Sequence, residues 1–181
     1  CGCVMAAKCW YWKEGIPKEV CQLILNAGAE DRFSPGETRD DAGDEYRNNQ
    51  IFFLDKNHWF EAVLLNFARV SNVEAGWNFD WNDCEKVQIS RYEPGQRYEW
   101  HADENIFRDS EAIRKLTVVC QINDPAEYEG GGLFLEGFDE NILVNQGDVI
   151  VFPSIMRHTA KKVEQGQRVS AALWVTGPQF R

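Results

Sequence analysis

The chain has 181 residues, is 44% hydrophobic and 13% aromatic, and carries a formal net charge of −10. That length suits one domain, and the apolar content is enough for a packed core, which excludes disorder as the default state. The acidic balance disfavours a nucleic-acid partner, and no apolar run reaches the roughly 18–20 residues of a membrane helix.

Residues 1 to about 8 lack the basic start and apolar stretch of a signal peptide and carry no functional weight. Trp10-Tyr11-Trp12 reads as a short amphipathic strand over the core. A first helix opens at Ile16-Pro17-Lys18-Glu19, with an apolar stripe of Val20, Leu23, Ile24 and Ala27 and a stop at Gly28. Residues 29–49 are charged and turn-rich, which implies a partly ordered hairpin or a mobile lid. Residues 51–54 form a short buried strand. A second helix spans about 57–70, striped by Trp59, Phe60, Val63, Leu64 and Phe67. His58, at its start, reads as a surface or capping residue.

From about residue 77 the pattern changes to short strands separated by turn signals. The expected strands are 87–92, 98–101, 116–122, 133–135, 141–144, 149–152, 158–163 and 168–175. They imply a sandwich or barrel with the two helices on its outer face. Gly130-Gly131-Gly132 precedes a strand and lacks a following Lys-Ser/Thr, so it reads as a turn or bulge rather than a phosphate loop. The acidic run at 40–45 lacks calcium-loop spacing and reads as a solvated loop. The six cysteines include no Cys-x-x-Cys pair and read as free thiols in a reducing cytoplasm, with Cys21 and Cys120 as small core residues.

The chemistry concentrates in the second half. His101 and Asp103 are two apart, and an extended backbone points i and i+2 the same way. His158 opens a later strand and can complete a set of two imidazoles and one carboxylate. Such a set leaves coordination positions open and suits non-haem Fe(II). On its own, His-x-Asp also fits a surface histidine or a simple hydrogen-bonded pair. In the last strand Arg168, Ser170, Ala172 and Trp174 share one face, while Val169, Ala171, Leu173 and Val175 share the other, apolar one. A buried guanidinium requires an anion. Either an internal acid or a bound dicarboxylate supplies it.

These pieces occur within a longer ordered set: Arg91-Tyr92-Glu93-Pro94-Gly95, Tyr98-Glu99-Trp100-His101-Ala102-Asp103, Arg114-Lys115-Leu116-Thr117, Gly130-Gly131-Gly132-Leu133, Gly147-Asp148-Val149-Ile150-Val151-Phe152, His158 and Arg168-Val169-Ser170. A fainter segment, Arg47-Asn48-Asn49-Gln50, lies upstream. From Val87 onward the sequence resembles the 2-oxoglutarate/Fe(II) oxygenases, and within them the prolyl 4-hydroxylase-like branch. The resemblance implies a mainly β protein with N-terminal helices around a double-stranded β-helix, a jelly-roll or cupin-like core. It implies one oxygenase domain over 1–181, with about 1–76 supporting and about 77–181 catalytic.

It also implies roles. His101, Asp103 and His158 would hold Fe(II). Arg168, Tyr92, Ser170 and Gln121 would bind 2-oxoglutarate, although at Gln121 related enzymes place a tyrosine. Arg114, Trp174 and Tyr98 would meet the substrate. O2 would be the second co-substrate, with ascorbate as reductant. The expected reaction is hydroxylation of proline in a peptide or protein, with 2-oxoglutarate converted to succinate and CO2. Asp103 favours hydroxylation over halogenation, since halogenating relatives carry a small residue there. The competing readings are a hydroxylase of a free amino acid or other small molecule, a nucleic-acid demethylase, and a metal-binding jelly-roll without oxygenase activity.

Overall fold

Side-chain alternation along the C-terminal strand sets the layering of the molecule. In β13 (Arg168–Pro178), Val169, Ala171, Leu173 and Val175 enter the main apolar core, while Arg168, Ser170, Ala172 and Trp174 line a cavity on the opposite face. The computed structural model describes residues 8–28, 32–36, 46–104 and 112–179.

In chain order the earlier elements are β1 (Trp10–Trp12), α1 (Lys18–Ala27), β2 (Ser34–Pro35), β3 (Gln50–Phe53), α2 (Trp59–Glu74), β4 (Asp83–Cys84), β5 (Gln88–Tyr92), β6 (Tyr98–His101) and β7 (Ala112–Gln121). They are followed by β8 (Tyr128–Gly130), β9 (Leu133–Leu135), β10 (Val149–Pro153), β11 (His158–Ala160) and β12 (Val163–Gly166). The large sheet runs β1-β10-β7-β13-β5-β3-β2, with β4 also on β13; β6-β11-β9 and β12-β8 form two smaller sheets. Every pairing between named strands is antiparallel. The result is the expected double-stranded β-helix, with the cavity lined from both the large sheet and the β6-β11-β9 sheet.

Both helices cover the outer face of the large sheet. Phe60, Leu64 and Ala68 of α2 and Cys21 and Ile24 of α1 pack with Val118 and Cys120 of β7 and Val149 and Val151 of β10. Each fully buried aliphatic side chain contributes roughly 1.5–3 kcal/mol. His58 caps α2, its Nδ1 accepting from the Phe60 amide. In α1 the stripe is rotated from expectation. Leu23 is 58% exposed, and Cys21 carries the buried face with Ile24.

Three other expectations are corrected. The second helix continues to Glu74 because its polar end is buried with partners. Ser71 accepts from the Trp12 indole N–H, and Asn72 exchanges two hydrogen bonds with the backbone of Phe79. Residues 141–144 are not a strand. Asn141 Oδ1 accepts from the amides of Leu133 and Leu143, and its amide donates to the Leu143 carbonyl, so a side chain replaces the ladder. The expected strand at 158–163 breaks after Ala160. Lys161 donates to Gly132, and Val163 begins a new strand with a different partner.

The hairpin expected at 29–49 is present at its base, where Ser34 and Pro35 pair with Ile51 and Gln50. Residues 29–31 and 37–45, including the acidic run, lie outside the described residues.

Asp148 ties the first strand to the second half. It is fully buried, and its carboxylate accepts from the amides of Glu14, Val144 and Asn145. Asp148→Ala is expected to destabilise the protein by about 3 kcal/mol, the scale of losing hydrogen bonds to a buried charge. Val144→Ala, at a 55% exposed position, is the control and should shift stability by no more than about 0.5 kcal/mol. Urea unfolding of the two variants measures the difference; equal midpoints would refute the role given to Asp148.

Candidate active site

His101 and His158 are direct cross-strand partners in the β6–β11 pair, which holds their rings 4.2 Å apart between centroids. Nδ1 of His101 lies 2.7 Å from the Glu99 carbonyl, and Nδ1 of His158 lies 3.1 Å from the Met156 carbonyl. A carbonyl only accepts, so each Nδ1 carries the proton and each Nε2 presents its lone pair inward. Tyr98 stacks on His101 at 3.5 Å and 13°, and Phe152 meets His158 edge-on. The imidazoles are therefore fixed in both tautomer and plane.

Asp103 arrives differently from the expectation of a continuing strand. β6 ends at His101, and the Asp103 amide donates to the Ser154 carbonyl at 2.9 Å. Its Oδ2 accepts from the Thr117 hydroxyl at 2.9 Å, and Thr117 is in turn 3.1 Å from the Ser154 hydroxyl. Asp103 Oδ1 lies 3.7 Å from Nε2 of His101, and Oδ2 lies 3.4 Å from Nε2 of His158. One donor atom from each of the three residues falls within 4.8 Å of the others. Two imidazole nitrogens and one carboxylate, so arranged, fit a divalent metal of the Fe(II) type.

Electrostatics support the same use. Burial, then the neighbouring His158, lowers the His101 pKa to about 4, so its ring is neutral and able to ligate at neutral pH. Burial opposes ionisation of Asp103, but the two imidazoles and Arg114 outweigh it and hold the carboxyl below its ordinary value.

Arg168, 1% exposed, lines the same cavity, whose volume is about 750 Å³. Its Nε donates to Gln121 Oε1 at 3.1 Å, and its guanidinium carbon sits 5.6 Å from the centre of the Tyr92 ring. Nη2 is buried with no hydrogen-bond partner, and no acid among the described residues pairs with it. The internal-acid alternative therefore finds no support there, and the orphaned donor fits a carboxylate ligand. Tyr92 and Ser170 line the cavity beside it. Gln121 stands behind: it is fully buried, and its amide nitrogen reaches Asn123 O, Asn123 Oδ1 and Val169 O. Gly131 provides room for the arginine stem, since a methyl group there would lie 3.3 Å from Arg168 Cδ and 2.7 Å from Val163 Cγ2.

At the outer end, Arg114 makes two 2.6 Å hydrogen bonds to Glu85 and lies 3.9 Å from the Trp174 ring centre. Arg47 sits 4.7 Å over the Tyr98 ring, bridged to β6. The segment Arg47–Gln50 thus docks the upstream loop on the site. Thr117, Ser154, Glu85 and Asn123 received no role from the sequence. Thr117 stood within a recognised segment, but the others become visible only through contacts between strands.

The model of the 2OG-Fe(II) oxygenase superfamily matches residues 87–176. With the triad and the fold, this establishes that the chain belongs to that superfamily. Its likenesses fall on the prolyl 4-hydroxylase-like branch. A PKHD-type hydroxylase of Thermosynechococcus vestitus is 37% identical over 91 residues, covering 48% of this chain and 41% of the relative. Another from Crocosphaera subtropica is 29% identical over 118 residues, covering 64% and 53%. The chain thus spans about two fifths to one half of the length of these relatives. In fold it is similar to a viral collagen prolyl hydroxylase of Paramecium Bursaria Chlorella virus-1, with TM-score 0.75, 19% identity, and coverage of 94% of this chain and 97% of that one. A Pseudomonas putida prolyl-4-hydroxylase gives TM-score 0.74 at 19% identity, covering 93% and 92%. No helix among the described residues is long and apolar enough to cross a membrane.

The lowered His101 pKa predicts acid sensitivity of the metal-free protein. Between about 4 and the ordinary 6.5, the unfolded chain binds a proton that the folded one does not. Stability therefore rises with pH through this window and is lost as pH falls through it. Urea midpoints measured across the window should fall on acidification, and less so in His101→Asn. A pH slope unchanged by that substitution would sink the assignment.

Proposed function

We propose that this chain is an Fe(II)- and 2-oxoglutarate-dependent dioxygenase that hydroxylates proline within a peptide or protein. The observation that carries the reading is one cavity holding both the two-histidine, one-carboxylate set and the unpartnered Nη2 of Arg168. His101, Asp103 and His158 would hold the iron, and Arg168 would pair with the distal carboxylate of 2-oxoglutarate, assisted by Tyr92 and Ser170. When bound, iron and 2-oxoglutarate supply the activation of O2, with succinate and CO2 released and ascorbate as auxiliary reductant.

The chain's own residues supply orientation and exclusion of water. Backbone carbonyls hold each histidine proton at Nδ1, away from the metal position. Thr117 and Ser154 hold the Asp103 carboxylate in place. Gln121 contributes by fixing the Arg168 fork rather than by touching the ligand. Burial pushes the Tyr98 phenol up to about 12 and raises that of Tyr92, so both are protonated at neutral pH.

Three features favour a peptide over a free amino acid. The cavity extends to Phe53, which is 45% exposed, beyond what a small substrate needs. Besides Arg168 Nη2, its wall holds a buried acceptor without a partner, Oε2 of Glu104, while the Trp174 indole N–H serves the Asp103 carboxyl and helps to lower it. A peptide backbone offers an N–H group to that acceptor. The Arg114–Glu85 pair fixes the Trp174 ring at this mouth. The same reading takes 1–181 as one oxygenase domain in a reducing compartment, consistent with free thiols at Cys9, Cys21, Cys84 and Cys120.

The test is anaerobic loading with iron, then 2-oxoglutarate, O2 and proline-containing peptides, with mass spectrometry for the gain of one oxygen. Hydroxylated peptide with matching succinate is expected. Turnover of free amino acids alone would replace the proline reading with the small-substrate one, and no 2-oxoglutarate consumption would refute both. Glu104→Ala should raise the peptide KM about tenfold, the scale of one lost buried hydrogen bond.

A further inference from the structure

Outside the cavity, one cluster sets an amine against a sulfur. Cys84 ends β4, which pairs with β13 at Val175, and is 6% exposed. Lys56 lies in the turn between β3 and α2 and reaches across to it. Its Nζ donates to Cys84 Sγ at 3.4 Å, to the Cys84 carbonyl at 2.7 Å and to Asp83 Oδ1 at 3.1 Å. Glu61, buried in the first turn of α2, brings Oε1 to 3.7 Å from the same nitrogen.

A lysine side chain normally loses much rotamer freedom when it is ordered. Here three contacts with two residues of β4 already hold the amine over the sulfur. The separation is one that a single oxygen atom can bridge after a small approach of the flexible lysine. The Glu61 carboxylate meets both the thiol and the ammonium, so it is the base placed to take a proton from either.

Protonation states fit a site that is quiet until challenged. Burial raises the Cys84 pKa, Lys56 opposes the rise and Glu61 adds to it, so the thiol keeps its proton at neutral pH. Burial disfavours the Lys56 charge, but its bonds to Asp83 and Cys84 outweigh this. A small uncharged oxidant suits such a buried sulfur. Once oxidised, the sulfur has an amine at hydrogen-bond distance to capture it.

We propose that Cys84 and Lys56 form a redox modification site, at which a peroxide joins the two side chains through one bridging oxygen, S–O–N. The thiol, the ammonium and two molecules of hydrogen peroxide give the bridged pair, three waters and one proton. The S–H bond, two N–H bonds and both O–O bonds break, while one S–O and one N–O bond form. Sulfur and nitrogen each lose two electrons, both peroxides are reduced to water, and the released proton passes to Glu61. The bridge ties the turn after β3 to β4, one residue before Glu85 at the cavity mouth.

The test treats the full chain, freed of metal by a chelator, with hydrogen peroxide and maps its peptides by mass spectrometry. A cross-linked pair joining Lys56 and Cys84 is expected, heavier than the two peptides by one oxygen less two hydrogens and released by dithiothreitol. Lys56→Arg keeps a cation on the sulfur but has no primary amine, and should yield sulfinic and sulfonic acid at Cys84 in place of the cross-link. Cys84→Ser should yield neither. Three outcomes would overturn the proposal. One is wild-type Cys84 oxidised to sulfinic acid with Lys56 still open to acylation. Another is Cys84 unchanged at a peroxide dose that converts Met156 to its sulfoxide. The third is a cross-link lighter than its peptides by two hydrogens, which is a direct S–N bond.

Discussion

The constraint on which the site depends is a guanidinium buried with its charge incompletely answered. Removing an arginine from water is tolerable only when its donors find acceptors. Arg168 has one in Gln121 and a π face in Tyr92, and its Nη2 is buried without an acid partner among the described residues. The surrounding structure keeps it there. Asn123 holds the Gln121 amide and accepts the Val169 amide, which locks the start of β13. Gly131 leaves no side chain to displace the arginine stem.

The metal position depends on the same strand by another route. β13 pairs with β7 so that Trp174 lies opposite Thr117, and β7 pairs with β10 so that Thr117 lies opposite Phe152. Thr117 thereby comes beneath Asp103, and Ser154, just beyond β10, receives the Asp103 amide. The carboxylate is held by the large sheet and the imidazoles by the small one, so the cavity between them is where the donors meet. Packing of the opposite face of β13 against the helices fixes the register, since a one-residue slip would exchange Arg168 and Ser170 with Val169 and Ala171.

Charge is managed locally and not by the net balance. The chain is acidic overall, yet Arg47, Arg114 and Arg168 all line the cavity. Arg114 is paired to Glu85 and Arg47 lies over an aromatic face, which leaves the deepest of the three, Arg168, to meet an anion. That gradient suits a small dianion seated inside and a larger, polar substrate at the mouth.

Much of this was written in local pattern. Period-two alternation separated the core and cavity faces of β13, and the spacing of short strands announced a sandwich or barrel, which the family resemblance narrowed to a jelly-roll. The ordered motifs from Arg91 to Ser170 named His101, Asp103, His158 and Arg168 before any contact was visible. Patterning cannot express side chains that substitute for backbone. Asn141 dissolving an expected strand and buried Ser71 and Asn72 prolonging α2 are both of that kind. Nor can it express which groups meet across strands distant in the chain. Thr117 under Asp103, Glu85 on Arg114, and Lys56 on Cys84 are products of register and sheet closure. Residue identity and periodicity determined what chemistry the chain carries. Only the three-dimensional pairing of strands decided which polar groups are satisfied and which are left needing a ligand, because hydrogen-bond satisfaction is a property of neighbours in space.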